Sequence, residues 1–238
     1  MKKVIIIGAT SGIGRELAKL YSLNDYEIGI VARRTELLTT LSSELKTKTY
    51  AQTMDISDTK TAISSLNDLI RQMQQVDLII ISSGTGHLND SLDWKKEKET
   101  INTNVLGFAA MANAAMQYFI QNNSGHLVGI SSIAGIRGSH IAPSYNASKA
   151  FVSNYLEGLR IKALKKNMPI IVTDIQPGLV DTAMAKGDGL FWVAPPKKAA
   201  KEIYKAIRNK KKKVYITKRW AIIALLLKIM PEFIYKKL

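Results

Sequence analysis

Near the N-terminus the sequence runs Val4-Ile5-Ile6-Ile7-Gly8-Ala9-Thr10-Ser11-Gly12-Ile13-Gly14, and the rest of the chain can be ordered around this block. Four consecutive β-branched residues make a short strand of the kind buried on both faces. Three glycines then follow at G-x-x-x-G-x-G spacing. Behind them Ile13, Leu17, Leu20 and Tyr21 share one face of a helix. A strand, a glycine turn and a helix in that order aim backbone N–H groups and the positive end of a helix dipole at one point. That point suits the diphosphate of a dinucleotide. Glycine permits the tight turn and the close approach of backbone to ligand. A glycine-rich loop holding no ligand has the same spacing.

Further along, Glu27–Val31, Asp77–Ile81, His126–Ile130 and Ile170–Ile175 read as strands, and Val214–Thr217 as a last one. Between them, Leu37, Leu38, Leu41 and Leu45 form one helical stripe and Ile63, Leu66, Leu69 and Ile70 another. Mostly unalternating apolar strands interleaved with helices predict an α/β fold, a doubly wound parallel sheet flanked by helices. Residues 1–209 are expected to form one domain, with 210–238 as a basic and apolar helical appendage rather than a second domain.

The chain has 238 residues, 46% of them hydrophobic, with no cysteine and a formal net charge of +15. This composition excludes collagen-like, disulfide-scaffold and wholly disordered proteins. It also excludes thiolate metal sites and cysteine catalysis. Met1-Lys2-Lys3 before an apolar run resembles the start of a signal peptide, but the run ends at Gly8, so a cytoplasmic protein is expected. From residue 197 onward there are 14 Lys and Arg against Glu202 and Glu232, so the basicity belongs to the tail. It gives no reason to expect a nucleic-acid partner for the body.

The second strand ends Ile30-Val31-Ala32-Arg33-Arg34, without the acidic residue that would meet a ribose 2′-hydroxyl. Arg33 is placed to meet a 2′-phosphate instead, with Arg15 as a second cation, while Arg34 is read as a solvated surface charge. Paired guanidinium donors suit phosphate. NADP(H) is therefore expected over NAD(H).

Tyr145 and Lys149 lie four apart in Ser144-Tyr145-Asn146-Ala147-Ser148-Lys149-Ala150, on one face of a helix expected to run to about Ala163. A tyrosine of ordinary pKa near 10 is a poor acid–base group near neutrality, and an adjacent ammonium lowers that value. Ser131 and Ser132 end the strand before this helix, where a hydroxyl can hold a carbonyl oxygen while Tyr145 moves the proton.

Together these residues resemble the short-chain dehydrogenase/reductase family over roughly Lys2 to Ala206. The matching motifs are the Gly8–Gly14 turn, Asn104 in Asn102-Thr103-Asn104-Val105-Leu106-Gly107, and Ser132 in Ile130-Ser131-Ser132-Ile133-Ala134-Gly135. Tyr145 with Lys149, and Pro177-Gly178-Leu179-Val180-Asp181-Thr182, complete the set in the same order. The resemblance implies a Rossmann-type sheet and hydride transfer between a nicotinamide cofactor and a carbonyl or alcohol. It assigns Tyr145 as general acid–base, Ser132 as the orienter of the substrate oxygen, and Lys149 as the ligand of the nicotinamide ribose that lowers the tyrosine pKa. Asn104 would anchor a water in the proton relay. Gly8, Thr10, Ser11, Gly12, Ile13 and Gly14 would cradle the diphosphate, Asp55 would contact adenine, and Gly84, Pro177, Gly178 and Thr182 would lie along the cofactor. A homodimer or homotetramer is also implied. Two departures stand out. Ile81-Ser82-Ser83-Gly84 replaces the usual Asn-Asn-Ala-Gly, and Ile7 stands where threonine is commoner.

His87, His126 and His140 are isolated, so no metal site is expected, although His140 lies between Ser132 and Tyr145 in sequence and so near the expected pocket. Phe191 and Trp192 follow Gly187-Asp188-Gly189, where the family covers its substrate; a lid or simple packing fits them equally. In the tail, Trp220 to Met230 is too short to span a bilayer. With Phe233, Ile234 and Tyr235 it fits a helix lying on an anionic membrane surface, or one packed on its own domain or a partner subunit. A hydrophobic substrate follows from the membrane reading. A nucleotide-sensing protein without turnover, or a peripheral scaffold, is the rival to an enzyme.

Overall fold

A computed structural model describes residues 1–182 and 191–237. Seven strands form one parallel sheet: β1 (Lys3–Ile7), β2 (Glu27–Ala32), β3 (Thr49–Thr53), β4 (Leu78–Ile81), β5 (Gly125–Ile130), β6 (Ile170–Pro177) and β7 (Lys213–Ile216). Their order is β3-β2-β1-β4-β5-β6-β7. The chain moves outward from β1 to β3, then returns to β4 on the other side of β1. The crossovers therefore part between β1 and β4, leaving a crevice beyond the carboxyl ends of the strands.

Helices cover both faces. On one side α1 (Gly12–Ser22), α2 (Thr35–Glu44) and α7 (Pro196–Arg208) bury Leu17, Leu38 and Ile203 against Val4, Ile6 and Ile28. On the other, α3 (Thr59–Met73), α5 (Phe108–Gln121) and α6 (Pro143–Lys165) bury Leu66, Met111 and Leu156 against Ile5, Ile7 and Ile79. Strand residues facing alternate sides thus feed two cores, which is why the strands read as unbroken apolar runs. Each fully buried Ile or Leu contributes about 1.5–3 kcal/mol relative to exposure.

The sequence pattern did not reveal β3. It is an edge strand, Thr-Tyr-Ala-Gln-Thr, with no fully buried residue, so it carries no apolar signature. The charged helix α4 (Trp94–Ile101) also lacks such a stripe. It leads through a six-residue π-helical segment, Asn102–Gly107, directly into α5. After β7 come α8 (Trp220–Ile229) and the single turn α9 (Glu232–Tyr235). Because β7 runs parallel to β6, Lys210–Lys213 lie at the amino end of β7, the opposite end of that strand from α8. No helix among the described residues is long and apolar enough to cross a membrane.

Candidate active site

A cleft of about 650 Å³ lies along the carboxyl ends of β1–β6 and is bordered at both ends by sequence-predicted residues. At one end the glycine turn takes its shape from close approaches. Gly8 (φ +91) leaves room for the Ser83 backbone, which a Cβ would meet at 2.6 Å; Gly12 (φ +52) leaves room for Thr182, at 2.9 Å. Gly14 is not in the wall. A Cβ there would strike the Gly8 carbonyl oxygen at 2.1 Å, so its part is to let α1 close on the turn. The first turn of α1 has no side-chain cap and no acidic residue. Its amides are unclaimed by side chains at the cleft, as a diphosphate requires.

The arginines differ from expectation in two ways. Arg15 does not border the cleft: its guanidinium meets Glu44 at 2.6 Å, and Lys19 approaches the same carboxylate at 2.8 Å. The helix turns it away, because position 15 faces α2. Arg34 is not a free surface charge. It donates to Thr10 Oγ1 (3.1 Å) and Ser11 Oγ (3.3 Å) across the glycine turn. Arg33 and Arg34 are thus the cations of this end. Asp55, 3.6 Å from Arg33, borders it as well. The amide and hydroxyl of Ser57 hold the Asp55 carboxyl below its ordinary pKa despite partial burial, with Arg33 helping.

At the other end the strand termini bring Ser132, Tyr145 and Lys149 to one wall. Ser132 caps a one-turn helix, Ile133–Ile136, accepting from the Ala134 amide (3.1 Å) and donating to the Pro177 carbonyl (3.3 Å). Gly135 lets this turn lie on α6, since a Cβ would meet the Lys149 and Ala150 backbone at 2.6 Å. Pro143 opens α6, so Tyr145 stands in its first turn and Lys149 one turn later. The buried Lys149 Nζ donates to the Ile130 carbonyl at 3.1 Å and lies 5.7 Å from the centre of the Tyr145 ring.

This arrangement reverses the expected effect on the tyrosine. Burial pushes the Tyr145 pKa above its ordinary value, opposed by the Ser132 hydroxyl. Burial also lowers Lys149 to about 8, with the Asp174 carboxylate acting against it. Tied to Ile130, the Lys149 ammonium does not offset the effect of burial on the phenol. Tyr145 holds its proton at neutral pH.

Asn104 lies behind the wall in the π-helical segment. Its Oδ1 accepts from the Thr85 amide (2.9 Å), and its Nδ2 donates to the Thr85 carbonyl (2.7 Å) and to Ser148 Oγ (3.0 Å). One side chain therefore pins the segment after β4 to α6. Gly84 fits between Asn104 Oδ1 and Lys149 Nζ, each 3.3 Å from where its Cβ would be. Pro177, Gly178 and Thr182 border the cleft, and Gly178 has a second reason to be glycine: a Cβ would come within 2.2 Å of the Trp220 ring. His87 lines the wall and faces Glu99 at 3.1 Å, whereas His140 is exposed outside it. Phe191 and Trp192 both pack on Trp220, with ring centres 5.2 and 6.0 Å away. Gly187, Asp188 and Gly189 lie outside the described residues.

The short chain dehydrogenase family profile matches residues 2–190. The chain belongs to the short-chain dehydrogenase/reductase family. It is an NAD(P)-dependent oxidoreductase of CH–OH and C=O groups. Among relatives of this dehydrogenase/reductase, an uncharacterized oxidoreductase of Mycobacterium tuberculosis is 32% identical over 192 residues, covering 77% of this chain and 75% of that protein. Dehydrogenase/reductase SDR family member 7B of Danio rerio is 29% identical over 237 residues, covering 90% and 76%. Two solved structures share the fold. One is a short-chain dehydrogenase from Sphingobium yanoikuyae in complex with NADPH, with TM-score 0.81, 19% identity, and 98% and 97% of the two chains covered. The other is a 7beta-hydroxysteroid dehydrogenase, with TM-score 0.84, 20% identity, and 99% and 95% covered.

Several residues that shape this dehydrogenase site carried no motif. Gly86 packs on the face of Tyr145, where a Cβ would approach the ring at 2.7 Å. Asp174, 1% exposed, accepts from Ser131 Oγ, Ser153 Oγ (2.6 Å) and Gln176 Nε2 (2.8 Å) beneath Ser132 and Lys149. Leu227, far along the chain on α8, forms part of the cleft wall. The one available signal was Asp174 itself, a lone acid in an apolar strand.

Proposed function

We propose that the protein is a carbonyl reductase that prefers NADP(H) and acts on a hydrophobic substrate. The observation that carries this is one cleft with Arg33 and Arg34 at one end and Tyr145, beside Ser132 and Lys149, at the other. A dinucleotide fits the residues present. Gly8, Thr10, Ser11, Gly12 and Ile13 would hold its diphosphate at the uncapped start of α1. Arg33 and Arg34 would take a 2′-phosphate and Asp55 the adenine side. Lys149, with Tyr145, would hold the nicotinamide ribose, with Gly84, Pro177, Gly178 and Thr182 alongside. When bound, the reduced cofactor supplies the hydride.

Reduction of a carbonyl consumes one hydride and one proton and yields an alcohol and the oxidised cofactor. Ser132 Oγ holds the carbonyl oxygen, exchanging its bond to Pro177 for one to substrate. The Tyr145 hydroxyl delivers the proton to that oxygen as negative charge develops there. Asn104 acts by position, its amide being committed to Thr85 and Ser148. Ile133, Ala134, Ala142, Leu179 and Leu227 give the substrate end an apolar wall, which favours a hydrophobic ketone or aldehyde. Self-association as a homodimer or homotetramer belongs to the same proposal. Leu106, Ile161 and Leu164 are exposed on the π-helical segment and α6.

The test is titration of the purified protein with NADPH and NADH, read by nicotinamide fluorescence and repeated for Arg33→Asp, followed by a screen of apolar ketones and aldehydes. Tighter binding of NADPH that disappears in Arg33→Asp supports the preference. Equal binding of the two refutes the preference while leaving the enzyme class intact.

A further inference from the structure

Helix α8 carries apolar residues on every side, with Lys228 its single charge. Trp220 and Ala224 are buried against the body and Leu227 faces the cleft. Yet Ile222, Leu225 and Ile229 are 61%, 60% and 69% exposed on its outer side, and Phe233 in α9 is 63% exposed. A surface helix normally sets a polar face toward water, so this outer face lacks its natural cover. The helix is nevertheless firmly placed. Arg137, just beyond the turn that Ser132 caps, donates to the Leu227 (3.3 Å) and Met230 (2.8 Å) carbonyls at its C-terminal end. The Arg137 guanidinium also lies 4.5 Å over the Tyr235 ring, and the Tyr235 hydroxyl donates to the Gly138 carbonyl.

We infer that the outer face of α8, continued by Phe233, is a docking surface for an anionic lipid bilayer, and that it sets the substrate edge of the cleft against the lipid. Charge selects this occupant. Lys218, Lys228, Lys236 and Lys237 are exposed along these two helices, and Glu232 is their single acid. A symmetric contact with a second copy would set this patch against itself, bringing like charges together. Anionic headgroups complement it. A ten-residue helix is about 15 Å long, half the thickness of the hydrocarbon core. It therefore lies in the interface with its apolar face down. The exposed Trp192 ring beside Trp220 suits the same boundary. Lys210–Lys213 stand at the amino end of β7, one strand length away from α8, and take no part, although sequence alone grouped them with this segment. Because Leu227 forms cleft wall from the same helix, an apolar carbonyl compound dissolved in the bilayer would reach the site without crossing water. This inference rests on the proposed hydrophobic substrate.

The experiment is flotation of the full-length protein with vesicles of phosphatidylcholine alone or with one-third phosphatidylserine. Wild type should float with the anionic vesicles at least tenfold more than with the neutral ones. Leu225→Asp/Ile229→Asp should abolish flotation, whereas replacing Lys210–Lys213 by Gln should preserve it. NADPH titration in vesicle-free buffer should be the same for all three proteins, which establishes that the variants fold. Absence of wild-type flotation overturns the inference, as does undiminished flotation of the double Asp variant. A shift of that variant from dimer to monomer in light scattering, with no vesicle binding by wild type, identifies a second copy as the cover and also overturns it. If vesicles bind as expected but no cofactor does, the docking surface stands and the reductase reading falls.

Discussion

At the β2 end of the cleft, Arg33 and Asp55 stand 3.6 Å apart with both side chains well exposed. At the β5–β6 end, Lys149 and Asp174 are 5% and 1% exposed. An exposed ion pair is worth about 0–1 kcal/mol, so Arg33 can exchange its partner for a phosphate at little cost. Buried charges behave otherwise. Lys149 loses several kilocalories of hydration and responds by a lowered pKa, and the buried Asp174 carboxylate accepts from two serines and a glutamine. Binding groups are therefore left in water and weakly paired, while groups that tune proton transfer are buried and heavily bonded.

Tyr145→Phe should break the reactive end alone. Turnover of a model aldehyde should fall roughly 100- to 10,000-fold, the usual range for a general acid. NADPH affinity by fluorescence should fall less than about tenfold, because one neutral hydrogen bond to the ribose is lost while Lys149 and the ring packing on Gly86 remain. A comparable loss of affinity would mean that the two ends are not separable.

Removing charge at the open end should give the next effect. Arg33→Asp combined with Arg34→Ala should weaken NADPH binding about 10- to 100-fold, as for loss of charge-assisted hydrogen bonds worth about 1.5–3 kcal/mol. NADH binding should change far less, and melting temperature hardly at all, since both residues lie outside the core. The Arg15→Ala variant is the control, with cofactor binding unaffected because that side chain lies outside the cleft wall.

Asp174→Asn should act more mildly but in both activity and stability. The carboxylate supports the ammonium of Lys149, so its loss should lower the Lys149 pKa below its present value of about 8. The alkaline limb of the rate profile, where the ammonium is lost, should move to lower pH. Melting temperature should fall by ~2–8 °C, since stranding a buried donor costs about 1–3 kcal/mol. An unchanged pH profile would reduce Asp174 to a packing element.

The smallest effect runs the other way. A lysine whose folded pKa lies below its unfolded value destabilises the protein at every pH below the folded value. That penalty fades as pH rises toward the unfolded value near 10.4. Lys149→Met should therefore raise the melting temperature at pH 7 by ~2–4 °C despite its lost bond to Ile130, and the gain should vanish near pH 11. A lower melting temperature would show the ammonium to be stabilising.

The central strands were legible because each is buried on both faces and so consists of Ile and Val without alternation. Strand β3 was not, since one edge of it meets solvent and no residue on it is fully buried. Ser132, Tyr145 and Lys149 were legible through local rules: a strand end, then one face of one helix. Gly86, Asp174 and Leu227 act on the same site from separate elements, and no spacing within the chain connects them.

Arginine identity shows where sequence stops. That two cations end β2 with no acid beside them is written in residues 33 and 34. Which of three nearby arginines faces the cleft depends on what surrounds each. Glu44 on α2 draws Arg15 away, and the hydroxyls of Thr10 and Ser11 draw Arg34 in. The sequence by itself determined the fold class, the glycine turn and the reactive trio, because backbone sterics and helical or strand periodicity act within a few residues. Only the tertiary structure decided the direction of the tyrosine pKa, the partners of the arginines and the place of α8 at the cleft. Those depend on desolvation and charge contacts between segments that meet only when the sheet is assembled.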